Sequence, residues 1–315
     1  MIAVTGGSGF IGRTLCSALA TSGHPVRAVV RRDAKPLESG IERSEITDLL
    51  DGAALRRSFR GASAVVHLAG RAHRMRDDGR DALAEMRRVN IEGTEAVIEA
   101  AAAAGVRRCL VASSIKAVGD RNTAPWTEST PPAPTDPYGV SKLESERAAL
   151  QRGAKAGLET VVMRFPLVYG PGAPGNVLRL LRLVDRGVPL PLGRIRNRRS
   201  MLYTGNLVSA VRALCDAPRI GGEVFFVGDG VDLSTPDLIR TIAQALDKPV
   251  RLWPVPLGVL RLGGVLAGMS PEVARLVDSL SISIEKLQFT TGWRAPFSPA
   301  QGWGATVAWY REAVS

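Results

Sequence analysis

The chain has 315 residues, 41 basic against 30 acidic, giving a formal net charge of +11 and a sequence pI near 10.3. Apolar residues at 45% and charged residues at 23% are ordinary for a folded protein, which excludes the disordered and fibrous classes. Three widely spaced cysteines (Cys16, Cys109, Cys215) and three histidines without ligand spacing argue for a reducing compartment, and against disulfides, zinc sites and metal catalysis.

Met1-Ile2-Ala3-Val4-Thr5-Gly6 is a strand running into glycines, with no basic n-region or cleavage site. It is not a signal peptide, and a cytoplasmic setting is expected. Residues 2–4 form the first strand, 11–22 a helix and 26–30 the second strand. Residues 49–59 are helical, 64–68 a third strand, 81–104 a long alanine-rich helix stopped by Gly105, and 108–112 a fourth strand. Strands without alternation, each followed by a helix, indicate a buried parallel sheet built from βαβ units. The fold class expected is α/β, a doubly wound parallel sheet of Rossmann type.

Residues 122–137 are rich in Pro and Thr and read as a loop. Asp136-Pro137 supplies an N-cap and a first-turn proline for a helix reaching about Ala156. Another strand covers 161–163. Beyond Gly170 the glycines, prolines and helical segments suit a smaller, mainly helical C-terminal lobe that caps the sheet, with 223–227 a strand returning to it. The expected division is residues 1–170, rejoined by 201–230, for the dinucleotide, and 171–200 with 231–315 for the substrate. Residues 252–269 come nearest to a membrane span, but Pro254, Pro256 and Arg261 interrupt them. They are read as a packed helix of the C-terminal lobe, because Gly263-Gly264 and Gly268 fit poorly on an amphipathic surface helix. Contact with a membrane is the alternative.

Gly7-Ser8-Gly9-Phe10-Ile11-Gly12 matches GxGxxG, and Gly6, Gly9 and Gly12 match GxxGxxG, directly between the first strand and first helix. Glycines there permit a tight turn and close approach of a pyrophosphate to the helix N-terminus. The second strand ends in Arg31-Arg32 with no carboxylate at its end; Asp33 falls beyond it. Guanidinium groups at that point suit a 2′-phosphate, so NADP(H) is expected ahead of NAD; two solvated surface arginines are the alternative. Asp48-Leu49 offers an acceptor and an apolar wall to an adenine ring, or else Asp48 caps a helix.

Tyr138 and Lys142 stand four residues apart, on one face of a helix. A phenol ionises near pH ~10, and a neighbouring ammonium lowers that value toward a competent acid or base. Ser113-Ser114 closes the fourth strand, where an open α/β sheet holds its ligand.

In these motifs the sequence resembles the extended short-chain dehydrogenase/reductases, the superfamily of nucleotide-sugar epimerases, dehydratases and ketoreductases. The matching residues run from Thr5-Gly6-Gly7-Ser8-Gly9-Phe10-Ile11-Gly12 and Asp48-Leu49 through His67-Leu68-Ala69-Gly70 and Asn90-Ile91-Glu92-Gly93-Thr94. They continue through Ser113-Ser114 and the Tyr138/Lys142 pair to Arg164-Phe165-Pro166 and Val168-Tyr169-Gly170-Pro171. The resemblance implies that Ser114 bonds the substrate oxygen, with Ser113 as the fallback. Tyr138 would be the general acid/base, and Lys142 would bind the nicotinamide ribose and tune Tyr138. It puts Gly6, Gly9, Phe10, Ile11, Gly12, Leu68, Ala69, Gly70, Asn90 and Pro166 at the cofactor, Asn90 as a brace for the catalytic helix, and Asn176 and Arg199 at a sugar diphosphate. Gly70 replaces a common alanine, and Leu167 stands where many epimerases carry an asparagine.

Closer likeness to a polysaccharide branch rests on Ser113-Ser114-Ile115-Lys116 and on Pro189-Leu190-Pro191-Leu192-Gly193 before Asn197-Arg198-Arg199-Ser200. It implies an NADP(H)-dependent reductase of a UDP-linked 4-keto-6-deoxy-N-acetylhexosamine. An NAD-dependent UDP-sugar 4-epimerase is the runner-up. The non-enzyme alternative is a nucleotide-sensing module that binds nucleic acid or a membrane surface. The charge is read as dispersed arginine (35 Arg against 6 Lys) plus anionic small-molecule sites, so a nucleic-acid partner and stable membrane insertion are not expected. By resemblance the helices at 81–104 and 137–156 form a homodimer bundle.

Overall fold

A computed structural model describes residues 1–71 and 80–314. Seven strands form one parallel sheet: β1 (Ile2–Thr5), β2 (Val26–Arg31), β3 (Glu42–Ile46), β4 (Ala64–His67), β5 (Arg108–Ser114), β6 (Glu159–Phe165) and β9 (Val224–Phe226), in the order β3-β2-β1-β4-β5-β6-β9. Two further strands, β7 (Leu167–Tyr169) and β8 (Met201–Tyr203), pair apart from it in parallel. The chain winds outward from β1 to β3 and then in the other direction from β4, so the order reverses between β1 and β4. This is the doubly wound Rossmann-type arrangement that the strand pattern predicts.

Alternate strand residues feed two apolar layers. On one face Val4, Val66 and Leu110 meet α1 (Phe10–Thr21), through Leu15 and Leu19, and α7 (Thr204–Asp216), through Leu207, Val211 and Leu214. On the other face Ala3, Val65 and Val111 meet α2 (Gly52–Phe59), α4 (Gly93–Ala103) and α5 (Pro137–Ala156), through Leu55, Phe59, Val97, Ile98 and Ala149. Burial on both faces explains why these strands are continuously apolar. A third cluster packs Tyr169, Leu181, Ile242 and Trp303, joining β7 to α6 (Asn176–Asp185), α8 (Thr235–Ala245) and α12 (Pro299–Val314).

The structure corrects three expectations. β3, absent from the sequence reading, is Glu-Arg-Ser-Glu-Ile on the sheet edge, where charge discourages further pairing and masks the strand signal. The helix expected at 81–104 is divided: α3 (Arg80–Arg87) leads into a π-helical turn (Arg88–Glu92) and then α4. Residues 252–269 are a helix of the C-terminal lobe only at 257–266, and it is packed on one side only. Within them Leu252 and Leu260 pack against the third cluster, but α9 (Leu257–Leu266) fully buries only Gly264, which meets Val273 of α10 (Ser270–Val277), and leaves Val259, Leu262, Val265 and Leu266 exposed. The remaining helix, α11 (Glu285–Thr291), lies against β9. Among the described residues no helix is long and apolar enough to cross a membrane.

Candidate active site

The carboxyl ends of β1 and β4 lie side by side at the reversal, where an open α/β sheet presents its ligand crevice. Gly6 turns the chain with φ +69, and a Cβ there would stand 2.8 Å from the Ala69 nitrogen. A Cβ on Gly12 would stand 2.2 Å from the Gly6 carbonyl. The glycine loop is therefore pressed onto Leu68-Ala69, with no room for a Cβ at Gly6 or Gly12. Gly9, the N-cap of α1, supplies no side-chain cap, and the first turn, Phe10-Ile11-Gly12 onward, carries no acid. Open amides beside a glycine-rich loop fit a dinucleotide pyrophosphate.

Asp136 caps α5 by accepting from the Gly139 amide at 2.6 Å, and Pro137 follows at the first turn. This cap sets Tyr138 at the end of β5, near enough to Ser114 for the serine hydroxyl to favour the phenolate. Ser114 also accepts from the Lys116 amide at 3.2 Å. Ser113 points elsewhere and donates to Glu146, so of the two serines it is Ser114 that meets the tyrosine. Lys142, one turn after Tyr138, donates to the Ala112 carbonyl at 2.6 Å.

The electrostatics differ from the sequence expectation. Burial holds the Tyr138 phenol above its ordinary pKa, the Asp136 carboxylate adds to the rise, and the Ser114 hydroxyl opposes it. Burial also pulls the Lys142 ammonium down to about 8, against the Glu146 carboxylate. An ammonium drawn toward Ala112 does not overcome desolvation of the phenol. Without ligand, Tyr138 is a protonated acid.

Beneath these groups is a buried polar layer. Arg164 forks onto Glu146 with contacts of 3.0, 3.2 and 2.7 Å. His67 Nδ1 meets the Thr5 hydroxyl at 2.7 Å and Nε2 meets Thr94 at 3.0 Å. Burial, then Lys142, pushes the imidazole down to about 3, so it is neutral. Asn90, at the π-helical turn, accepts from the Arg71 amide at 2.8 Å and donates to Ser141 at 3.1 Å. Ser141 in turn donates to the Tyr138 carbonyl at 2.9 Å.

Sequence reasoning did not single out Glu146, although Tyr138, Lys142 and Glu146 repeat at i, i+4 and i+8 on one helix face. It also overlooked the side chain of Lys116, which pairs with Asp136 at 3.1 Å and with Asp120. That lysine ties both Ser114, through its amide, and the cap of the Tyr138 helix.

Of the other candidates, Arg31 and Arg32 are well exposed, with distant partners in Asp33 (3.8 Å) and Glu45 (3.9 Å). Asp48 is engaged: it accepts from the Leu50 amide at 3.1 Å and pairs with Arg88 at 2.6 Å, and both hold its pKa low, the Leu50 amide foremost. Asp51, not Asp48, caps α2. Leu49 packs where a Cβ on Gly93 would stand, 2.6 Å from its Cδ2. Pro166 is buried between β6 and β7, and Leu167 is 44% exposed. Asn176 is exposed at the start of α6. Arg199 is half-buried and donates to the carbonyls of Arg275 and Asp278 at 2.8 and 3.1 Å.

A family model described as the NAD dependent epimerase/dehydratase family matches residues 2–228. The chain belongs to this family. It is an enzyme of the extended short-chain dehydrogenase/reductase superfamily, as the motifs predict. A UDP-glucose 4-epimerase of Vibrio cholerae is 35% identical, across 99% of this chain and 96% of that protein. An Escherichia coli O157:H7 epimerase, named for N-acetyl-alpha-D-glucosaminyl-diphospho-ditrans,octacis-undecaprenol, is 28% identical across 97% and 94%. Among solved structures, MoeE5 in complex with UDP-glucuronic acid and NAD is similar at a TM-score of 0.79 with 28% identity, covering 99% of each chain.

Proposed function

We propose that this member of the epimerase/dehydratase family is an NADP(H)-dependent reductase of the 4-keto group of a UDP-linked 4-keto-6-deoxy-N-acetylhexosamine. The carrying observation is Tyr138 set beside Ser114 at the end of β5, with Lys142 one turn further on: a phenol placed to give a proton to a carbonyl oxygen. The exposed Arg31 and Arg32 at the end of β2 support a 2′-phosphate and so NADP(H). When bound, the nicotinamide supplies the hydride to the carbonyl carbon. Ser114 orients and polarises the substrate oxygen, and Tyr138 donates its proton to that oxygen as negative charge develops. Lys142 exchanges the Ala112 carbonyl for ribose hydroxyls, and the glycine loop takes the pyrophosphate. Leu68, Ala69, Gly70, Asp48 and Leu49 flank the cofactor, Pro166 lines its far side, and Asn90 holds the first turn of α5 through Ser141. Asn176 and Arg199 receive the sugar diphosphate.

In this reading residues 1–170 and 201–230 form the cofactor unit, 171–200 and 231–315 the substrate lobe, and the protein is a cytoplasmic homodimer. Three buried free thiols suit a reducing compartment. The second reading, an NAD-dependent UDP-sugar 4-epimerase, is favoured by the Vibrio relative. Mixing the protein with the UDP-4-keto sugar and NADPH decides between them. Stoichiometric NADPH consumption is expected; interconversion of UDP-sugars without added cofactor would sink the reductase reading.

A further inference from the structure

The α9 helix inverts the usual rule for a surface element. Val259, Leu262, Val265, Leu266, Met269 and Trp253 expose between 51% (Met269) and 80% (Leu266) of their surfaces. Such residues are unremarkable when scattered, but here five fall on α9 and the turn that follows it, and Trp253 lies just before it. The packing explains the outward face: α9 is pinned to α10 on its glycine side, where a Cβ on Gly264 would stand 2.8 Å from Val273 Cγ2. Leu260 packs inward on the third cluster, and Val259, Leu262, Val265 and Leu266 are left facing out.

The border of this patch is cationic. Arg251, just before α9, is exposed, and Arg261 on α9 is exposed but paired with Asp278 at 3.0 Å. The Gly193 amide bonds the Trp253 carbonyl at 2.9 Å, which brings residues 186–199, with five arginines and no acid, against the base of the patch. Within that segment Arg194 and Arg196 are exposed and enter no ion pair among the described residues. A protruding apolar helix bordered on one side by arginines complements an anionic bilayer surface, apolar side chains entering the acyl boundary and guanidinium groups meeting headgroup phosphates. A second copy of the chain fits less well, because it carries the same surplus of arginine and offers no matching anionic face. At 10 residues, α9 is only ~15 Å long, half the ~30 Å hydrocarbon core, so it lies on the surface rather than crossing.

We propose that the α9 face is a peripheral docking surface for an anionic lipid bilayer. Co-sedimentation of the full chain with phosphatidylcholine vesicles, with and without roughly one-third phosphatidylglycerol, tests it. Retention on the anionic vesicles alone is expected, weakening as salt rises. The double variant Leu262→Glu with Leu266→Glu should bind at least ~10-fold more weakly, with melting temperature and turnover of a soluble substrate unchanged. Wild-type protein left in the supernatant overturns the proposal, as does undiminished binding by the double variant. So does a dimer in sedimentation velocity that the same variant dissociates, since the occupant is then a second copy.

Discussion

Below the strand ends, His67, Asn90, Glu146 and Arg164 are polar and buried, and each has partners; on α9, Leu262 and Leu266 are apolar and exposed, facing only solvent. Both regions reverse the normal sorting of side chains, yet they differ in what the reversal costs the isolated molecule. The buried polar layer is complete within one chain, so it contributes rigidity under Ser114, Tyr138 and Lys142. The α9 face is incomplete by itself, and its apolar surface gains free energy only when something covers it.

Three perturbations sharpen this contrast. Tyr138→Phe removes the proton donor without emptying the crevice. Turnover should fall by ~100- to 10,000-fold while NADPH affinity, read by fluorescence titration, stays near wild type. Near-normal turnover would remove Tyr138 from the chemistry. Next is Arg164→Met, which leaves the Glu146 carboxylate buried and uncompensated and should cost about 3–5 kcal/mol in urea unfolding. Leu266→Glu, in the same experiment, should move stability by less than ~0.5 kcal/mol. Equal losses at the two sites would erase the distinction between them.

A further perturbation is a change of pH. The folded-state pKa of His67, about 3, lies below the ordinary 6.5. Its contribution to stability is therefore fully present above pH 6.5 and is lost as pH falls toward 3, because the unfolded state binds the proton first. Unfolding midpoints measured down this window should decline less steeply for His67→Gln than for wild type. Parallel profiles would show that the imidazole titrates normally.

The positive charge has acquired several destinations. Arg108 and Arg164 are buried in ion pairs with Glu159 and Glu146, and Arg13 and Arg43 hold backbone carbonyls of the 32–36 loop. Arg199 spends part of its guanidinium on the carbonyls of Arg275 and Asp278. Much of the arginine excess is structural mortar, and Arg194 and Arg196 are among those left facing solvent.

Local rules made the core of the fold and site legible. The glycine spacing after β1, the Asp136-Pro137 start of α5 and the Tyr138/Lys142 interval each lie within one turn or one helix. Where two distant segments meet, the same rules failed. The π-helical turn at Asn90 is tied by bonds to Arg71 and Ser141, which no helical period contains. β3 took strand form from pairing with β2, against its own charged composition.

By itself, then, the amino-acid order determined the alternation of buried strands and helices, the glycine-rich loop and the Tyr/Lys pair, because steric and periodic constraints act over a few residues. Tertiary structure supplied the reason why Ser114, the serine the resemblance favoured, and not Ser113 stands beside Tyr138: Ser113 donates to Glu146 of α5. It also decided that burial raises the Tyr138 phenol while Lys142 turns to Ala112. And it set α9 outward on its glycine contact with α10. Desolvation and packing depend on every neighbour in space, and neighbours in space are not neighbours in the chain.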